Sequence, residues 1–98
     1  MKYTYPAFLT PEDGAYNVTF PDLPECYTCG YDERDAALMA EDVLACYLES
    51  EEREGRSVNT ASKNNDLVVP EGTIVISVSV DTEAYRCKLS KMTKIEAE

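Results

Sequence analysis

The chain has 98 residues, with 19 Asp and Glu against 9 Lys and Arg and no histidine, for a formal net charge of −10. That balance repels naked nucleic acid, and the missing histidine removes the commonest general base, the usual partner of a Ser or Cys nucleophile and the commonest metal ligand. With 44% apolar and 29% charged residues the composition is that of one small folded domain, expected over residues 1–98, rather than a disordered acidic tail. No window approaches the roughly 20 consecutive apolar residues of a membrane span, and Met1-Lys2-Tyr3-Thr4 lacks the apolar stretch of a signal peptide. A cytoplasmic protein with no membrane contact is expected.

Tyr3, Tyr5, Ala7 and Leu9 are apolar at alternate positions with Lys2, Thr4 and Pro6 between them, a period of two that predicts a half-buried strand. Phe8 breaks the alternation, and Pro6, unable to donate to a ladder, marks a sheet edge or a bulge. After the turn formers Pro11, Asp13 and Gly14, the residues Tyr16, Val18 and Phe20 alternate with Asn17 and Thr19, which predicts a β-hairpin. Pro21-Asp22-Leu23-Pro24 is expected to leave the ladder, because two prolines three apart do not both fit a paired strand. A third short strand over about Cys26 to Tyr31 follows.

Asp32 is the predicted N-cap of a helix over about 32–54, with Glu33 and Asp35 in its first turn and Gly55 as its stop. Ala36, Ala40, Val43, Leu44 and Tyr47 recur at three- and four-residue spacing, with Ala37 and Leu48 on the margin, giving one apolar stripe for a sheet to cover. Residues of about 55–72 are polar and non-periodic and are read as a surface loop. Ile76, Val78 and Val80 then form the inner row of a last strand over about 73–80. Asp81 caps a short helix over Thr82 to about Lys88, and Leu89 to Glu98 carries no pattern. The order β-β-β-α-β-(α) predicts an α+β fold of two layers, a mainly antiparallel sheet covered by one long helix.

Cys26-x-x-Cys29 has the spacing of a zinc or redox pair. In a strand, however, residues three apart point to opposite faces at roughly 10 Å, beyond the roughly 7 Å Cα limit of a disulfide. Cys46 and Cys87 are the other two cysteines; free or packed thiols are expected, and no metal. The predicted strands Tyr3 to Leu9, Tyr16 to Phe20 and Ile74 to Val80 hold no Asp or Glu, so a carboxylate site for catalytic cations is not expected either. Glu49, Glu51, Glu52 and Glu54 crowd the negative end of the helix dipole, where each costs a few tenths of a kcal/mol; solubility and a surface for a cationic partner are both open readings. Leu38, Met39, Asp42 and Cys46 lie off the apolar stripe, a mixture of apolar and acidic groups common at interfaces, unless the C-terminal segment covers them.

Tyr5-Pro6-Ala7-Phe8, the run from Gly14 through Phe20-Pro21-Asp22-Leu23-Pro24 to Cys26-Tyr27-Thr28-Cys29-Gly30, and the helix Asp35-Ala36-Ala37-Leu38-Met39-Ala40-Glu41-Asp42-Val43-Leu44 together resemble the signature of the HicB-type antitoxins. The resemblance covers about Tyr3 to Glu54. It implies a partial RNase H-like domain without catalytic activity or cofactor, which binds and blocks a small basic HicA-type toxin that cleaves mRNA. An acidic chain without histidine suits the masking of a cationic, RNA-binding surface. An acidic stand-alone regulator or adaptor of similar fold is the alternative reading.

Family members commonly carry a C-terminal DNA-binding module. Lys88, Lys91 and Lys94 are too few to form one, so a short or shortened form is expected, with no direct nucleic-acid binding through this segment. Glu25-Cys26 stands where a Gly often precedes the Cys. Expected toxin contacts are Asp13, Asp22, Glu25 and Tyr27, read as a cluster around the turns at one end of the sheet. A homo-oligomer through an edge strand is compatible with such a sheet.

Overall fold

Asp13 and Gly14 both adopt left-handed backbone, φ 52° and 80°, the conformation a two-residue hairpin turn requires. They fold β1 (Lys2–Glu12) back onto β2 (Ala15–Phe20), with Glu12 opposite Ala15 and Phe8 opposite Thr19. The structure, a computed structural model, describes residues 2–58 and 67–87. β2 turns through Pro21 and Asp22 into β3 (Leu23–Gly30), α1 (Glu33–Arg53) crosses one face of the sheet, and β4 (Ile74–Asp81) pairs along the other side of β1. Residues 82–87 are helical. The sheet order is β3-β2-β1-β4 and every pairing is antiparallel. This is the two-layer α+β arrangement expected from the pattern of elements.

The core lies between the layers. Tyr5, Ala7, Leu9, Val18, Phe20, Leu23, Cys26 and Val78 project from the sheet onto Ala36, Ala40, Leu44 and Leu48 of α1. Each fully buried Leu or Phe contributes roughly 1.5–3 kcal/mol relative to exposure. The helix starts hard against the sheet, because a Cβ on Gly30 would lie 2.4 Å from the backbone nitrogen of Ala36. Reciprocal capping fixes that start: the Asp35 N–H donates to the Asp32 carboxylate at 2.8 Å, and the Asp35 carboxylate accepts from the Tyr31 N–H at 2.9 Å. At the other end the Arg56 N–H bonds to the Glu51 carbonyl and the Gly55 N–H to the Glu52 carbonyl, the pair of reversed bonds that closes a helix on a glycine.

Pro6 sits in β1, a central strand, yet pairing to β2 begins only at Phe8, so from Lys2 to Ala7 the strand has β4 as its one partner and is locally the edge that the proline marks. Two expectations are corrected. Pro24 belongs to β3, which starts at Leu23 opposite Phe20 across a register shift at Thr19 and Phe20. Pro24 falls within that shift and has no register partner on β2, and β3 is outermost, so the proline interrupts no ladder on either side. The strands also run further than the apolar alternation, taking in Glu12, Glu25 and Asp81 near their ends. Among the described residues these acids join no group of three metal-ligating side chains. Part of the expected loop and the segment from Lys88 to Glu98 lie outside the described residues.

Candidate partner-binding surface

The acidic end of α1 is built into the fold. Glu49 is only 4% exposed, with the Arg53 guanidinium at 3.7 Å and that of Arg86 at 3.4 Å. Glu52 accepts from the Tyr3 hydroxyl at 2.7 Å, from the Thr82 hydroxyl at 2.9 Å and from Arg86 at 3.1 Å. Glu51 takes both arms of Arg56, at 2.7 and 3.1 Å. The Tyr3 bond leads the causes that hold the Glu52 carboxyl below the usual range, and the same bond pushes the Tyr3 phenol up to about 12. Three of the four acids read as a solvated or partner-facing cluster are therefore internal anchors, and Glu54, the C-cap, stays exposed. Their cations come from up to 37 residues away, which the dipole argument along one helix does not see. The one signal in the sequence was the excess of Glu at the wrong helix pole, a demand for compensating Arg.

This anchoring holds residues 82–87 beside α1 and leaves an open groove of about 460 Å³ between α1, the end of β4 and Tyr85. Leu38, Met39, Ala45 and Val80 supply its apolar surface, and Glu41, Asp42 and Asp81 its carboxylates. Leu38 is 56% and Met39 39% exposed. Burial and a hydrogen bond with Cys46 push the Tyr85 phenol up to about 12. Leu38, Met39 and Asp42 are thus brought to one place, whereas Ala45, also in the groove wall, is a buried residue that the stripe reading omitted.

The four residues assigned from sequence as contacts separate into two groups. Asp13 is exposed in the β1–β2 turn, and Asp22 lies in the β2–β3 turn at the opposite end of β2. Six residues of strand place these turns roughly 17–20 Å apart, so they do not form one cluster. Glu25 lines a recess of about 450 Å³ with Tyr47, Arg56 and Val58. Tyr27, opposite Thr19 on the sheet face away from α1, is 69% exposed. As their spacing predicts, Cys26 is buried in the core and Cys29 is exposed. Among the described residues no helix is long and apolar enough to cross a membrane.

The geometry defines an acidic two-layer domain that offers carboxylates and exposed apolar side chains to a protein surface. The sequence model of the HicB-like antitoxins of bacterial toxin–antitoxin systems matches residues 4–85, and the chain belongs to this family. UPF0150 protein Ta0767 of Thermoplasma acidophilum is 38% identical over 50 residues, covering 51% of this chain and 71% of that protein. The N-terminal domain of the antitoxin HicB of Burkholderia pseudomallei superposes with a TM-score of 0.71 at 28% identity, over 81% of this chain and 99% of that domain. A chain of a toxin–antitoxin complex from Streptococcus pneumoniae shares the fold with a TM-score of 0.78 at 23% identity, over 87% of this chain and 73% of its own. A chain of a HicA3 and HicB3 toxin–antitoxin complex does so at 0.66 and 24%, over 81% and 99%.

Proposed function

We propose that this chain binds and masks a small basic HicA-type toxin, and that it does so in the cytoplasm as a single domain without catalysis or cofactor. Membership of the HicB-like antitoxins over residues 4–85 carries the reading. The net charge of −10 supports it, since an mRNA-cleaving toxin must present cations to phosphates and carboxylates compete for those cations. Steering between opposite charges raises association to as much as about 10⁸–10⁹ M⁻¹s⁻¹ at low salt. Occlusion needs no reacting group, which agrees with a chain that has no histidine. The acidic surface is unsuited to direct contact with nucleic acid or an anionic membrane. Two structural likenesses, at 23% and 24% identity, are to chains of toxin–antitoxin complexes. Asp13 at one end of the sheet, and Asp22, Glu25 and Tyr27 towards the other, remain the contacts assigned from sequence.

The test is co-expression with the basic toxin encoded beside this chain. Co-purification of the two and restored growth are expected, and the mass of the complex reports whether copies of this chain also pair. A toxin that kills equally with and without the chain overturns the reading.

A further inference from the structure

Resting on the reading that this chain binds a basic toxin, we propose that the toxin is anchored in the groove between α1 and β4, through a segment that presents an apolar side chain flanked by Lys or Arg. Leu38 and Met39 are the exposed apolar residues of a helix whose inner stripe is otherwise covered by the sheet, and together with Tyr85 they line one hollow. The charge at the rim favours one kind of occupant. Where α1 ends, Glu49, Glu51 and Glu52 each have an Arg of the same chain, whereas among the described residues no ion pair reaches Glu41 or Asp42. These two carboxylates stand beside apolar surface, so a cation brought by a partner gains a complement that none of the described residues supplies as an ion pair. A second copy of this chain, at net charge −10, brings the wrong sign.

The groove is also held in shape before any partner arrives. Arg86, bonded to Glu49 and Glu52, fixes residues 82–87 as one wall, and β4, the other, is an outer strand with no strand partner on its far side among the described residues. A preformed hollow whose apolar side chains stand beside carboxylates suits an anchor residue flanked by cations. Arg86 is then a positioning residue that acts through the wall and does not touch the toxin.

The experiment uses the full chain and the purified HicA-type toxin encoded beside it. Leu38→Ser and Asp42→Lys are each expected to weaken binding more than tenfold. Glu71→Lys, the same change in net charge on an exposed turn, is expected to stay within threefold. A photo-crosslinking residue at position 38 is expected to capture the toxin, and one at position 71, on the exposed turn of the charge control, is not. Because Leu38 and Asp42 are exposed, their variants keep the wild-type circular dichroism spectrum. If the wild-type chain binds but Asp42→Lys and Glu71→Lys weaken it equally, or position 38 captures nothing, the groove is overturned and the antitoxin reading stands. A Leu38-dependent dimer of this chain with toxin binding unchanged gives the groove to a second copy and overturns the proposal. Failure of the wild-type chain to bind the toxin overturns the antitoxin reading itself.

Discussion

Tyr3, near the start of β1, donates its phenolic hydroxyl to Glu52, near the end of α1, at 2.7 Å across 49 residues of sequence. Thr82 and Arg86 reach the same carboxylate, so the first strand, the end of the helix and the segment after the last strand are tied to one side chain. The carboxylate that a helix dipole disfavours at this pole is stabilised by three donors, and the same bonds set one wall of the groove.

That bond predicts two limbs of pH dependence. Glu52 titrates below its ordinary 4.5, so its contribution is present above that value and lost as pH falls through the lower, folded value. Tyr3 is raised from 10.0 to about 12, so its contribution is present below pH 10 and lost as pH rises towards 12. Urea unfolding of Glu52→Gln should show a loss of about 1–2 kcal/mol at neutral pH, in keeping with hydrogen bonds to charged groups, and a flattened acid limb. Tyr3→Phe should flatten the alkaline limb. Parallel profiles for wild type and both variants would show that the bond contributes nothing.

Gly30→Ala is predicted to be among the costliest small substitutions. Its Cβ would come within 2.4 Å of the Ala36 nitrogen and 2.5 Å of the Ala36 Cα, both backbone atoms that do not yield without moving α1. A loss of about 2–3 kcal/mol is expected, the upper part of the range for overpacked sites. In a chain of this size that lowers Tm by something on the order of 10–20 °C. A Tm within a few degrees of wild type would show that the strand and helix are not in direct backbone contact.

Thiol labelling should divide the cysteines. Burial in the core pushes the Cys26 thiol up to about 11, and the thiolate is the reactive form. Cys29, Cys46 and Cys87 are exposed. Alkylation of the folded chain near pH 8, followed by mass spectrometry, should therefore give three fast modifications, with Cys26 modified only on unfolding. Equal rates at Cys26 and Cys29 would contradict the assignment of Cys26 to the core.

Signals carried by neighbouring residues were readable from sequence. The Asp32 cap, the Gly55 stop, the Asp13-Gly14 turn and the alternation of Ile76, Val78 and Val80 depend on residues within a few positions of one another, and each stands where the pattern put it. What depended on distant partners was not readable. The Arg86 pairing with Glu49 and Glu52 spans more than thirty residues, and Pro24 fits β3 because of a register shift against β2 in an outermost strand, a property of the assembled sheet. The placing of Asp13 beside Asp22 fails for a reason of connectivity: successive turns of an up-and-down sheet fall at opposite ends of the strand they share. For the groove, the off-stripe positions of Leu38, Met39 and Asp42 were visible, but the Tyr85 wall that turns them into a hollow was not.

Masking of a ribonuclease is tested most directly by its effect on RNA. A labelled RNA is incubated with the purified HicA-type toxin at fixed concentration while this chain is titrated in, at low and at high salt. Cleavage should fall to background as the complex saturates, with weaker protection at high salt as the opposite charges are screened. Undiminished cleavage with the chain in large excess, or cleavage by this chain alone, would contradict the account.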